Sequence, residues 1–230
     1  MKTEQKLSII IPIHNEIDLI AEVLGRVRAV EYKPKELILV DDMSNDGTRE
    51  YLQSEENNPN TTVLYHEKNF GKGMAIRTGL AVATGEIIIV QDADMEYNPD
   101  DILKVIQPIL DGKTEVCYGS RFLGSIERMR LPNWVANRIL ALMVRVLYGA
   151  KITDEATAYK AFRQKVIRQV ELDCMGFEFC PEVTAKVLKL GYRIQEVPVT
   201  FRARTFNEGK KIGWRDFFVA VWTLLKYRFV

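Results

Sequence analysis

The 230 residues carry 32 Lys and Arg against 31 Asp and Glu, a formal charge of +1, with 47% hydrophobic content. Such a balance supports a full globular core and excludes the broad basic field on which nucleic-acid binders rely, so nucleic acid is not an expected partner. Three cysteines without a Cys-x-x-Cys pair argue against a disulfide framework or a zinc site and fit a reducing, cytoplasmic compartment.

In chain order, Leu7 to Ile13 is an apolar run that predicts a buried strand, and Ile17, Ile20, Val23, Leu24 and Val27 follow at helical spacing. The residues before it, Met1 to Lys6, form no export signal. Leu37 to Val40 predicts a second strand ending in Asp41 and Asp42, and the turn Ser44-Asn-Asp-Gly47 leads into a helix near Thr48 to Gln53. A third strand is expected at Thr62 to Tyr65, then a small-residue helix from Met74 to Ala83. Ile87 to Val90, the fourth strand, delivers Asp92 and Asp94 at its C-terminal end. Past Pro99 come a helix over Ile102 to Leu110 and a strand over Glu115 to Tyr118 that ends in Gly119-Ser-Arg-Phe-Leu-Gly124. A Trp- and Leu-rich helix (Pro132 to Tyr148), a strand (Tyr159 to Phe162), a helix (Pro181 to Leu190) and a strand (Arg193 to Phe201) follow. A basic loop and an amphipathic helix from Trp214 to about Tyr227 close the chain, and no apolar run reaches the roughly 20 residues of a membrane span.

This alternation predicts the α/β class, a mostly parallel, Rossmann-like sheet flanked by helices in one continuous domain, 1–230. Its ligand edge would gather His14, Glu16, Asp41, Asp42, Asp92 and Asp94. Two carboxylates one residue apart repel unless something compensates them; a hard divalent cation is one such partner, and a plain acidic turn is the alternative. The first strand lacks the Gly-x-Gly-x-x-Gly of a dinucleotide site, and Asn69-Phe-Gly-Lys-Gly73 lacks the ending of a P-loop. Gly71 and Gly73 read equally as a turn or a phosphate cradle, and Lys72 suits either.

Taken together, Ile10-Ile-Pro-Ile-His-Asn-Glu16, Val40-Asp-Asp-Met-Ser-Asn-Asp-Gly-Thr48, Asn69-Phe-Gly-Lys-Gly73, Gln91-Asp-Ala-Asp94 and Gly119-Ser-Arg-Phe122 resemble the family 2 glycosyltransferases of the GT-A fold. The resemblance runs from Leu7 to about Trp214 and is strongest to the dolichyl-phosphate mannosyltransferase and polyprenyl-phosphate glycosyltransferase group. It implies a nucleotide-binding half (about 1–95) and an acceptor half (about 96–230). It also implies a nucleotide-diphosphate-sugar donor, GDP-mannose or a UDP-sugar, with Pro12, His14, Glu16, Val40 and Asp42 around base and ribose. Asp92, Ala93 and Asp94 match the diphosphate motif, where Asp92, Asp94 and Glu96 would hold Mg²⁺ or Mn²⁺.

Arg121, Arg204 and Lys210 fall on matching positions that would meet donor or acceptor phosphates; a solvated charge run is the other reading of the last two. Asp154 matches an acceptor-side Asp that would orient a lipid phosphate, or act as base if the acceptor is a hydroxyl; the residue types alone also allow a turn cap with Thr157. Ala158-Tyr-Lys160 stands where many relatives read Gly-Phe-Arg, which leaves acceptor and sugar open. The helices at Pro132 to Tyr148 and Trp214 to Phe229 suit either the core or a membrane interface. The implied activity is metal-dependent, inverting transfer of a hexose to polyprenyl phosphate at the cytoplasmic membrane face, with room for a membrane-embedded partner subunit. Two rivals remain: transfer to a glycan hydroxyl, and a non-catalytic nucleotide-sugar-binding subunit.

Overall fold

The computed structural model describes residues 5–204 and 213–230. One seven-stranded sheet runs through it, formed by β1 (Leu7–Ile13), β2 (Lys35–Asp41), β3 (Thr61–Tyr65), β4 (Ile87–Val90), β5 (Val116–Glu127), β6 (Lys160–Arg163) and β7 (Ile194–Arg202) in the order β3-β2-β1-β4-β6-β5-β7. All neighbours are parallel except β6, which runs antiparallel to both β4 and β5. The first strands are buried on both faces, which is why they read as apolar runs rather than as an alternating pattern.

Successive residues supply opposite layers of the core. Ile9, Ile11, Leu37 and Leu39 join one layer with α1 (Ile17–Ala29) and α4 (Ile102–Leu110), while Ile10, Ile38 and Val40 join the other with α3 (Lys72–Val82) and α7 (Phe179–Lys189). Between these elements α2 (Thr48–Glu55) follows β2, and one turn of helix, α6 (Gln164–Ile167), follows β6. A third, smaller cluster joins α5 (Leu131–Tyr148) and α8 (Trp214–Phe229) through Leu140, Val144, Ala220 and Leu224.

The predicted strands and principal helices are all present, with ends shifted by a few residues. The exception is β5, expected to end at Tyr118, which continues to Glu127 along β7 with a register shift between Ser120 and Ser125. The four residues left out of the ladder, Arg121 to Gly124, are thereby turned away from regular pairing. No described helix is long and apolar enough to cross a membrane.

Candidate active site

The C-terminal ends of β1, β2 and β4 open onto a cavity of roughly 240 Å³. Its wall includes Pro12 of β1 and His14 and Glu16 just after it, Asp42 just after β2, and Asp92, Ala93, Asp94 and Glu96 in the segment after β4, with Lys72 and Arg204 reaching in. Parallel strands joined by crossover helices leave such a crevice at their carboxyl ends.

At the β2 end the polar groups hold one another. The Asp42 carboxylate, only 4% exposed, accepts from Phe70 N (2.8 Å), Gly71 N (2.7 Å) and the His66 ring (2.8 Å). His14 Nδ1 donates to the Asp42 carbonyl at 2.8 Å, and its Nε2 accepts from the Asn69 amide at 3.1 Å. Asp42 therefore anchors the Asn69–Gly73 turn while forming part of the wall.

That turn is pressed against the segment preceding α7. Gly71 adopts φ +95°, and a Cβ there would lie 2.5 Å from the Met175 carbonyl oxygen; a Cβ on Gly73 would lie 2.8 Å from that of Gly176. Both features exclude a larger residue at position 71. We expect Gly71→Ala to cost about 2 kcal/mol of stability, from left-handed strain and displaced backbone, as read by urea denaturation; an unchanged midpoint would contradict this packing.

At the β4 end charge dominates. Lys72 Nζ pairs with Asp92 Oδ1 at 2.6 Å. Burial alone would depress the Lys72 ammonium, but Asp92, with Cys180 and Asp94 behind it, holds it above its ordinary range. Arg204 grips Glu16 through both terminal nitrogens (2.9 and 3.1 Å) and reaches Asp94 at 3.1 Å. Burial, reinforced by Asp92 and Glu96, pushes the Asp94 carboxyl up to about 7 despite Arg204 and Lys72. The Glu16–Arg204–Asp94 bridge also borders a second, more open cleft of about 900 Å³, whose wall shares these three residues.

Four of the expected site residues lie elsewhere or are turned away. Val40 is a fully buried core side chain, because strand alternation directs it into the layer beneath α3. Arg121 and Asp154 lie outside the cavity wall and form a buried pair: Asp154 accepts from Arg121 N (3.0 Å), Nε (2.7 Å) and Nη2 (2.7 Å). The Arg121 guanidinium also stacks 4.9 Å from the Phe201 ring centre. Glu196 fixes this pair from behind, accepting from Thr153 N, Thr153 Oγ1 and Asp154 N at 2.7 to 2.9 Å. Glu96 lines the cavity, but its carboxylate accepts from Arg204 N at 2.7 Å, and among the described residues no three His, Cys, Asp or Glu side chains gather as for a metal ion. Among the described residues the three carboxylates of the expected metal set thus line one cavity without gathering as a cluster; Met95, between Asp94 and Glu96, adopts φ +58°. Lys210 lies outside the described residues. Conversely, Phe177 lines the cavity with its ring 6.0 Å from Lys72 Nζ, a residue that local sequence pattern did not single out.

Comparison with known proteins agrees with this architecture. The family described as Glycosyl transferase family 2 matches residues 8–171. A dolichol-phosphate mannosyltransferase of Pyrococcus furiosus is 30% identical over 217 residues, which is 90% of this chain but only 60% of that protein's length. An undecaprenyl-phosphate mannosyltransferase of Micrococcus luteus is 29% identical over 216 residues, covering 89% of this chain and 86% of that protein. Among solved structures, glucosyl-3-phosphoglycerate synthase from Mycobacterium tuberculosis, in complex with Mn²⁺, UDP and glucosyl-3-phosphoglycerate, superposes with a TM-score of 0.74 at 20% identity, covering 98% of this chain and 81% of that one. The fold is thus GT-A, and the relatives lie in the polyprenyl-phosphate group that the motifs resemble. The chain belongs to glycosyl transferase family 2.

Proposed function

We propose that this chain is a metal-dependent, inverting glycosyltransferase that moves a hexose from a GDP- or UDP-sugar to polyprenyl phosphate. The observation that carries this reading is the convergence of Asp92, Asp94, Lys72 and Arg204 on one cavity at three adjacent strand ends. Arg204 Nε is buried with no hydrogen-bond partner among the described residues, a donor suited to a phosphate oxygen.

The residues also fit Mg²⁺ or Mn²⁺. Asp92 and Asp94 are hard oxygen donors, burial and the neighbouring acids together raise the Asp94 carboxyl, and Glu96 lines the same cavity. Mg²⁺ takes one or two carboxylates and completes its shell with substrate phosphates and water, so a site short of three gathered acids suits it. Such an ion would neutralise charge on the departing nucleotide. Pro12, His14, Glu16 and Asp42 would enclose base and ribose, and Lys72 and Arg204 would orient the diphosphate.

In the proposed reaction, an acceptor phosphate oxygen attacks the anomeric carbon and forms the new C–O bond. The bond to the donor's β-phosphate breaks, its electrons leave with the nucleoside diphosphate, and the configuration inverts. A lipid phosphate is already anionic near neutral pH, so no protein base is required. A hydroxyl acceptor would require one, and Asp154 is disfavoured for it because both its oxygens are buried under the Arg121 guanidinium. Arg121 and Asp154 act instead as a buried brace for the bulged β5 segment.

Access to lipid is supported by the adjoining helices α5 and α8. Leu131, Leu142 and Val146 are 58 to 73% exposed, as are Trp214, Phe218 and Trp222 at 60 to 71%. Aromatic and aliphatic side chains of this kind suit a membrane interface, which we place at the cytoplasmic face, where a membrane-embedded partner subunit also has room. The test is transfer from radiolabelled GDP-mannose or UDP-glucose to polyprenyl phosphate by the purified chain with Mn²⁺. Label should pass into the organic phase; label confined to water would refute the proposed acceptor.

A further inference from the structure

The cavity has two chemically distinct ends and one aromatic wall. At the β2 end, His14, Asp42 and Asn69 are bonded to one another and offer a narrow polar slot. At the β4 end, Asp92, Asp94 and Arg204 supply the charges suited to a metal and a diphosphate. Phe177 adjoins this second end: its ring lies 6.0 Å from the Lys72 ammonium, which itself sits 2.6 Å from Asp92.

The segment that carries the ring is held by hydrogen bonds to its backbone. Glu178 Oε1 accepts from Met175 N (2.7 Å) and Gly176 N (2.9 Å), and Glu182 accepts from Asp173 N and Cys174 N at 2.8 and 2.7 Å. Met74 N donates to the Met175 carbonyl at 3.0 Å, so the segment is tied to α3 as well as α7. Phe177 is half-buried, is not part of the principal core clusters, and is presented to the cavity on a fixed turn. A large apolar ring kept partly exposed at a polar site serves recognition better than folding.

We propose that Phe177 is a specificity-determining residue whose ring packs against the apolar C–H face of the donor hexose. This rests on the nucleotide-sugar reading given above. With base and ribose at the β2 end and diphosphate beside Lys72 and Arg204, the group next beyond the diphosphate is the hexose. The Lys72 ammonium caps one side of the same ring, so a phosphate contact and a sugar contact are set at a fixed separation. Phe177 consequently discriminates between a nucleotide and its sugar ester.

The test uses the full chain with Mn²⁺ and four probes: UDP, GDP, UDP-glucose and GDP-mannose. Calorimetric affinities are compared for the unmutated chain, Phe177→Ala and Phe177→Tyr, with thermal melts alongside to confirm folding. Phe177→Ala should leave the affinity for the preferred free nucleotide within about two-fold and weaken its sugar ester roughly five- to ten-fold, the range expected for loss of one aromatic contact. Phe177→Tyr should restore most of that loss, which mere repair of the fold by any side chain would not predict for the ester alone. Equal weakening of nucleotide and ester would overturn the proposal by moving the ring to the base or to a structural role. No weakening of either would also overturn it. An unmutated chain that binds none of the four probes would refute the donor reading itself, and this inference with it.

Discussion

Asp94→Asn is expected to cut sugar transfer by about a thousand-fold or more, equivalent to roughly 4 kcal/mol of transition-state stabilisation, while making the metal-free protein more stable at pH 8. The two effects share one cause. Burial and the neighbouring charges of Asp92 and Glu96 raise the Asp94 carboxyl from its ordinary range to about 7. Because the folded state holds this proton more tightly than the unfolded chain, the contribution of Asp94 to stability falls as pH rises from about 4 through about 7. Asn carries no charge, so its advantage grows across that window and levels off above it. Melting temperatures in a chelator at pH 5 and pH 8 measure this directly: the gain should be the larger at pH 8, and a gain independent of pH would remove the electrostatic explanation. A stable, folded and inactive variant would mark Asp94 as a group strained for chemistry.

The opposite sign is expected at Arg121. Arg121→Met leaves the Asp154 carboxylate, 0% exposed, without its bidentate partner. Breaking a buried pair from one side costs about 3 to 5 kcal/mol, whereas replacing both partners by apolar groups often costs little. For a chain of this size the single variant should melt roughly 10 °C lower. The double variant Arg121→Met with Asp154→Leu should recover most of that loss. If the double variant is instead no better than the single one, the pair is not a self-contained brace, and the Glu196 network behind it carries the stability.

The contrast between these two carboxylates explains what could be read from the chain. Asp92 and Asp94 follow a short apolar strand, and strand period alone places their backbone at the ligand edge. His14, Glu16 and Asp42 were legible for the same reason. Val40 differs, because alternation directs its side chain into the core one step before the strand ends. The partner of Asp154 lies 33 residues away, and no local pattern announces a pairing made across two loops. Glu96 lies two residues beyond Asp94, past the left-handed Met95, and its carboxylate accepts from the backbone of Arg204. Phe177 is part of the cavity only because α7 packs beside α3 and the Gly71 and Gly73 contacts admit its turn. The far half of β5 lacks a strand pattern, being mostly exposed and interrupted by the register shift. Local periodicity thus reported the strand ends that border the cavity, and tertiary packing decided which side chains face it.

The reversed strand β6 has a consequence for how the molecule is made. It lies between β4 and β5, so the outer edge of β4 has no partner when its own residues leave the ribosome. That edge is apolar and stays open until residues 160–163 emerge, about 70 residues later, which at bacterial or eukaryotic elongation rates is roughly 4 to 14 s. A nascent chain paused in this interval presents Ile87 to Val90 as an unguarded pairing edge. The same strand therefore sets when that edge is covered, and ties completion of the sheet to translation of residues 160–163.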